Sequence, residues 1–187
     1  MVGWNEEIKK ELGHCGENVF IGHNTIFTNP RKVFLGDNVR IDPFCLITTG
    51  LELGEYVQIC SHAVLGGGNQ HTIKLGNWCF IGYGSKIFCA SEDYSGDYGP
   101  VNEFWGSNEI FRGDVTFNDY SGIASDVMIL PKVQLPIGCT IGASSFVHTK
   151  ANLEEWSIFL GNPLKFHKKR NKNVVIELSK DPNFLKR

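Results

Sequence analysis

The chain has 187 residues, 42% of them hydrophobic and 20% charged, with a formal net charge of −2. That length suits one domain with a real core rather than two, and the near-neutral balance argues against nucleic acid or an anionic membrane as a partner. The opening Met-Val-Gly-Trp-Asn-Glu-Glu has no basic segment leading into an apolar one, and no apolar run approaches a membrane span, so a cytoplasmic protein without a membrane span is expected. Cys15, Cys45, Cys60, Cys79, Cys89 and Cys139 show no metal-knuckle spacing. They read as reduced residues of the core, and no metal is expected.

In chain order, residues 5 to 12 read as a short amphipathic helix with Asn5 as N-cap, Glu6 and Glu7 in the first turn and Gly13 at the stop. Aliphatic residues then recur every six positions: Leu35, Ile41, Ile47, Leu53, Ile59 and Leu65; Leu75, Ile81 and Ile87; Phe117, Ile123, Ile129, Leu135, Ile141, Val147 and Leu153. Four places after most of these anchors stands a small or β-branched residue, such as Val39, Cys45, Ala63, Cys79, Ser85, Ser121, Cys139 or Ser145. A six-residue period is neither helical nor plain strand alternation. It suits short strands separated by corners in a solenoid, each coil burying its anchors against the coils above and below. Glycine frequently follows an anchor, as at Gly36, Gly54, Gly76 and Gly82, where a tight backbone bend is expected.

The repeat is interrupted three times. Fourteen positions separate Ile21 from Leu35, ten separate Leu65 from Leu75, and thirty separate Ile87 from Phe117. If three hexads make one coil, every excess falls at the same corner and the insertions stack. Loops on one face leave a solenoid core undisturbed, and such a face is often the binding face. The middle insertion is Gly66-Gly67-Gly68-Asn69-Gln70-His71-Thr72, and the long protruding loop, 90–114, opens with Ala90-Ser91-Glu92-Asp93-Tyr94. Stacking puts His71 close to Glu92 and Asp93, where a carboxylate can set the tautomer of an imidazole that accepts a proton. His71, Glu92 and Asp93 are therefore the candidate catalytic residues; a solvated loop histidine is the plainer alternative for His71. Tyr94, Asp97, Tyr98 and Trp105 combine aromatic faces with carboxylates, which suits a sugar substrate, although Trp105 serves equally well as a clamp on an adjacent subunit. Beyond Pro163 the chain turns basic and is expected to be helical, capping the last coil.

The hexads, together with Asn38-Val39-Arg40-Ile41-Asp42, Gly66-Gly67-Gly68, Ser91-Glu92-Asp93-Tyr94-Ser95-Gly96-Asp97 and Gly161-Asn162-Pro163-Leu164-Lys165, resemble the hexapeptide-repeat acyltransferases, and within them the galactoside and maltose acetyltransferase-like sugar enzymes. The resemblance implies an all-β solenoid, a left-handed parallel β-helix over 17–160. A helical N-terminal segment over 1–16 would precede it and a basic helical tail over 161–187 would follow. It implies a homotrimer with active sites between subunits and acetyl-CoA as co-substrate. The acceptor it implies is a sugar hydroxyl, with the amino group of a nucleotide-linked amino sugar as the alternative and a non-catalytic or metal-dependent trimer as the second. Carried over residue by residue, the backbone of Ser125 and Ala143 would meet the pantetheine arm, and Thr149, Lys150, Lys165 and Lys168 the charged end of the cofactor. One position departs from the pattern: Glu92 stands where the better-known sugar acetyltransferases open this loop with a histidine base, and Gly84 where that histidine's asparagine partner is expected.

Overall fold

The computed structural model describes residues 5–92 and 110–181. In it the hexad anchors become three vertical columns. Ile21, Ile41, Ile59, Ile81, Ile123, Ile141 and Phe159 stand in register on parallel strands and define the first face. Phe27, Ile47, Leu65, Ile87, Ile129 and Val147 define the second. Cys15, Leu35, Leu53, Leu75, Phe117 and Leu135 define the third. The result is a parallel β-helix of about six turns, as the six-residue period predicts. The strands Leu46–Leu53 and Val64–Leu75 run unbroken round the corner between the second and third faces, joining those faces into one sheet.

All three columns point inward, and the anchors Leu35, Ile41, Ile59, Leu65, Ile81, Ile87 and Ile123 are fully buried. The residues four places on fill the corners from inside. At Ser85 the backbone satisfies the buried hydroxyl: Ser85 Oγ donates to the Ala124 carbonyl at 2.8 Å and accepts from the Val127 amide at 3.2 Å, so its burial leaves no lost hydrogen bond.

The glycines after the anchors have a different cause from the bend expected of them. At most corners a left-handed residue stands third after the anchor, as at Asn38 (φ 59°), Phe44 (64°) and Trp78 (60°). A Cβ on Gly82 would instead lie 2.4 Å from the Ala124 carbonyl carbon. Glycine is required there because the next coil passes too close for any side chain.

Both ends carry the helices expected of them, each shorter than the sequence suggests. The N-terminal helix is a single 3₁₀ turn, Ile8–Glu11, although the Ile8 amide does bond to Asn5 Oδ1 at 3.4 Å. Only Ile8 and Leu12 pack on the core, too little apolar surface to sustain a longer helix, and the first solenoid strand, His14–Cys15, begins at once. The basic tail starts as a strand, Lys165–Lys169, antiparallel to Ser157–Leu160 and closing the edge of the first face; a helix, Lys172–Ser179, follows. An open sheet edge attracts further strands, and the tail covers it. Arg170 pins the tail by donating to the carbonyls of Tyr120 and Gly138.

Cys45, Cys79, Cys89 and Cys139 are buried, while Cys15 and Cys60 are half-buried. Burial pushes the Cys45, Cys79 and Cys89 thiols up to about 11 and Cys139 up to about 12. Raised folded-state values mean that these thiols stabilise the fold fully below about pH 9, and that this contribution is lost as the pH climbs through 11. Titration with Ellman's reagent at pH 8 should find no more than two thiols in the native protein and six after denaturation; rapid reaction of a third would contradict the burial.

Candidate functional site

The corner between the second and third faces carries all three insertions. Thr49 pairs with Gly68 and Gly50 with Thr72 across the first two coils, and Val115 pairs with Ile73 where the chain returns from the long excursion. Below them, Lys32 Nζ donates to the Asn69 carbonyl at 2.6 Å, tying the Asn29-Pro30 turn to the middle insertion. The glycine run is explained by what surrounds it. Gly67 (φ 141°) lies so close to Cys89 that a Cβ would meet the cysteine's own Cβ at 2.6 Å, whereas Gly68 (φ 71°) has open space and needs glycine only for its backbone conformation.

His71 sits at this corner, with its side chain 29% exposed. Buried Thr49 donates its hydroxyl to the His71 carbonyl at 2.7 Å, which holds the backbone of the insertion against the coil below. His71 Nδ1 lies 3.1 Å from Asp114 Oδ1, and the same carboxylate oxygen accepts the Thr72 amide at 3.0 Å. Asp114, from the returning end of the excursion, thus supplies a carboxylate to His71, the part that Glu92 and Asp93 at its opening were expected to play. Glu92 ends the strand Ala90–Glu92, which pairs antiparallel with Ile110–Arg112 to form the stem of the excursion. Asp93, Tyr94, Asp97, Tyr98 and Trp105 lie outside the described residues.

Sequence reasoning missed Asp114 because it counted forward from Ile87. Counting back from the next anchor would have found it: Asp114 is three places before Phe117, as Thr72 is three before Leu75 and Gly50 three before Leu53. Thr49 was missed as well, standing in a coil that has no insertion at this corner.

The residues expected to hold the cofactor fall on two corners. Ser125 and Ala143 follow the anchors Ile123 and Ile141 at the corner between the first and second faces, where the Ser125 carbonyl accepts the Ser144 amide at 3.0 Å. Thr149 and Lys150 stand at the corner that carries His71, three coils further on. At about 4.8 Å per coil that is roughly 14 Å away. Between the two corners the second face turns Met128 and Phe146 outward. Lys150 lines a recess of about 440 Å³ with Phe146, His148, Asn162, Leu164 and Phe166, and Thr149 an adjoining one with Lys132 and Gln134. Lys165 and Lys168 are exposed on the tail strand beside the first recess. Their neighbour Lys169 is engaged with Glu154 at 2.6 Å and Ser157 at 2.9 Å. A wider recess of about 620 Å³, between Phe34, Glu52, Lys74 and Asp119, contains none of the expected residues. Among the described residues no group of His, Cys, Asp and Glu is arranged to hold a metal ion, and no helix is long and apolar enough to cross a membrane.

No family model matches the chain. A curated relative, the dTDP-4-amino-4,6-dideoxy-D-glucose acyltransferase of Escherichia coli, is 31% identical over 173 residues, which cover 89% of this chain and 88% of the relative. Among solved structures, the N-acyltransferase AntD from Bacillus cereus, in complex with dTDP and 3-hydroxybutyryl-CoA, is similar over 100% of this chain and 98% of its own, with a TM-score of 0.86 and 29% identity. A maltose O-acetyltransferase from Clostridium difficile shares the fold at a TM-score of 0.57 and 17% identity, over 88% of this chain and 73% of its own.

Proposed function

Since this chain belongs to the hexapeptide-repeat acyltransferases, we propose that it transfers an acyl group from an acyl-CoA to the amino group of a nucleotide-linked amino sugar. The observation that carries this reading is the agreement over nearly the whole of both chains with a dTDP-amino-sugar acyltransferase and with an N-acyltransferase bound to dTDP and an acyl-CoA. The amine, an alternative on sequence grounds, thereby takes precedence over the hydroxyl acceptor; the maltose enzyme shares only the fold.

In the reaction the neutral amine attacks the thioester carbonyl carbon. An N–C bond forms, the C–S bond breaks, and a proton leaves the nitrogen for the imidazole of His71. The imidazolium then protonates the departing thiolate, leaving an amide and free CoA. Holding amine and thioester together supplies much of the rate, and the base supplies the remainder. Transfer is direct: Cys89, the thiol nearest this corner's insertions, is fully buried and pushed up to about 11 by that burial, so it stays protonated and is no acyl carrier. The spacing of Thr149 and Lys150 from His71 suits a pantetheine arm lying along the corner, with Lys165 and Lys168 near the phosphates and Ser125 and Ala143 supplied by the opposite edge of the second face. Ile26, Leu46 and Met128 are exposed on that face, which supports packing against further copies in the trimer that the resemblance implies. Tyr94, Asp97, Tyr98 and Trp105 remain the candidates for gripping the sugar, and Glu92 and Asp93 remain catalytic candidates beside His71.

The test is release of CoA thiol from acetyl-CoA and 3-hydroxybutyryl-CoA, with dTDP-4-amino-4,6-dideoxyglucose compared with the matched dTDP-sugar bearing a hydroxyl at that carbon. Turnover on the amine, at least about 100-fold above the hydroxyl, is expected, because a neutral amine attacks a thioester far more readily than a hydroxyl, which depends on a general base to become nucleophilic. Turnover on the hydroxyl alone would restore sugar O-acetylation.

A further inference from the structure

We infer that Asp114 is a positioning residue, which fixes the tautomer and orientation of His71 and joins the stem of the long excursion to the proton acceptor. The inference rests on the proposed role of His71 as that acceptor. An ionised carboxylate only accepts hydrogen bonds, so the 3.1 Å contact from His71 Nδ1 to Asp114 Oδ1 requires the hydrogen on Nδ1. The lone pair then lies on Nε2, the nitrogen that can take a proton from the acceptor amine.

Two further observations separate this pair from a chance surface contact. The Thr72 amide donates to the same Asp114 oxygen at 3.0 Å, so the carboxylate is tied to the backbone next to the histidine it orients. Thr49, only 3% exposed, fixes the His71 carbonyl from the other side. Both ends of the imidazole's own residue are therefore held, and the ring can turn little without breaking the Asp114 bond. Asp114 also lies between the strands Ile110–Arg112 and Val115–Phe117, the first in the stem of the excursion and the second in the core sheet. Its place is set by the solenoid rather than by the tip of a loop. When the imidazole becomes charged, the adjacent carboxylate stabilises it; a neutral group in the same position keeps the tautomer and loses that stabilisation.

The experiment combines ¹H–¹⁵N correlation of the His71 ring with steady-state kinetics on the wild type, Asp114→Asn and Asp114→Ala. The wild type is expected to show the Nδ1–H form. Asp114→Asn retains an oxygen for both bonds and should keep that form with a kcat reduced about tenfold. Asp114→Ala should lose the form, with kcat lower by about 100-fold or more and KM for the acyl-CoA unchanged. Retention of the Nδ1–H form in Asp114→Ala, whatever its kcat, overturns the inference. So does an unchanged kcat once the form is lost, provided His71→Ala is impaired. If His71→Ala itself turns over normally, the role of His71 as proton acceptor fails, while the ring spectra still decide whether Asp114 sets the tautomer.

Discussion

Replacing His71 with alanine is expected to lower kcat by roughly 10²- to 10⁴-fold, the usual contribution of a positioned general base, while leaving the affinity for acyl-CoA nearly unchanged. The drop corresponds to about 3–5 kcal/mol of transition-state stabilisation. The attacking amine must shed a proton as the new bond forms, and water is a poorer acceptor than an imidazole already held in place. The affinity should survive because the residues proposed to hold the cofactor stand about three coils away, on strands whose positions do not depend on the His71 ring. Substrate-saturation curves for both substrates, with a direct CoA titration, check the claim. Wild-type turnover in the variant would remove His71 from the chemistry, and a lost CoA affinity would show that the insertion matters for folding or binding instead.

The other large effect is on stability. Ile81 is fully buried, stacked between Ile59 below and Ile123 above, and Ile81→Ala should cost about 2–5 kcal/mol by leaving a cavity that two-residue strands are too tightly registered to close. At about 2–4 °C per kcal/mol for a chain of this size, the melting temperature should fall by roughly 4–20 °C. Gly82→Ala, one position on, should be damaging for the opposite reason: it adds one carbon against the Ala124 carbonyl and forces the coils apart, at a cost of about 1–3 kcal/mol. Thermal melts at fixed protein concentration would measure both. Exposed Lys10, on the N-terminal 3₁₀ turn, serves as the control, since its replacement by alanine should stay within about 0.5 kcal/mol. A core variant that melts like this control would refute the column packing.

The sequence by itself determined the columns. An anchor every six residues, with a small residue four places later, can bury both only if the chain coils, so Ile41, Ile59 and Ile81 stack because no other arrangement hides them all. It also determined that the Asn29-Pro30 turn, the glycine run and the long excursion share one corner, because the runs between them, six hexads and then three, are whole numbers of coils. The tertiary structure decided what those interruptions bring together. An excursion that leaves after Ile87 and returns before Phe117 has two ends at the corner, and counting forward from Ile87 reaches only the first; strand pairing, with Val115 beside Ile73, brings the returning end and Asp114 to His71. Likewise, glycine after an anchor reads as a bend in one dimension, while only the neighbouring coil reveals it as a matter of clearance. The tail shows the same limit from the other side. Lys165–Lys169 has the composition of a basic helix, but the open edge left at Ser157–Leu160 offers its backbone hydrogen bonds that local propensity cannot foresee, and the segment becomes a strand.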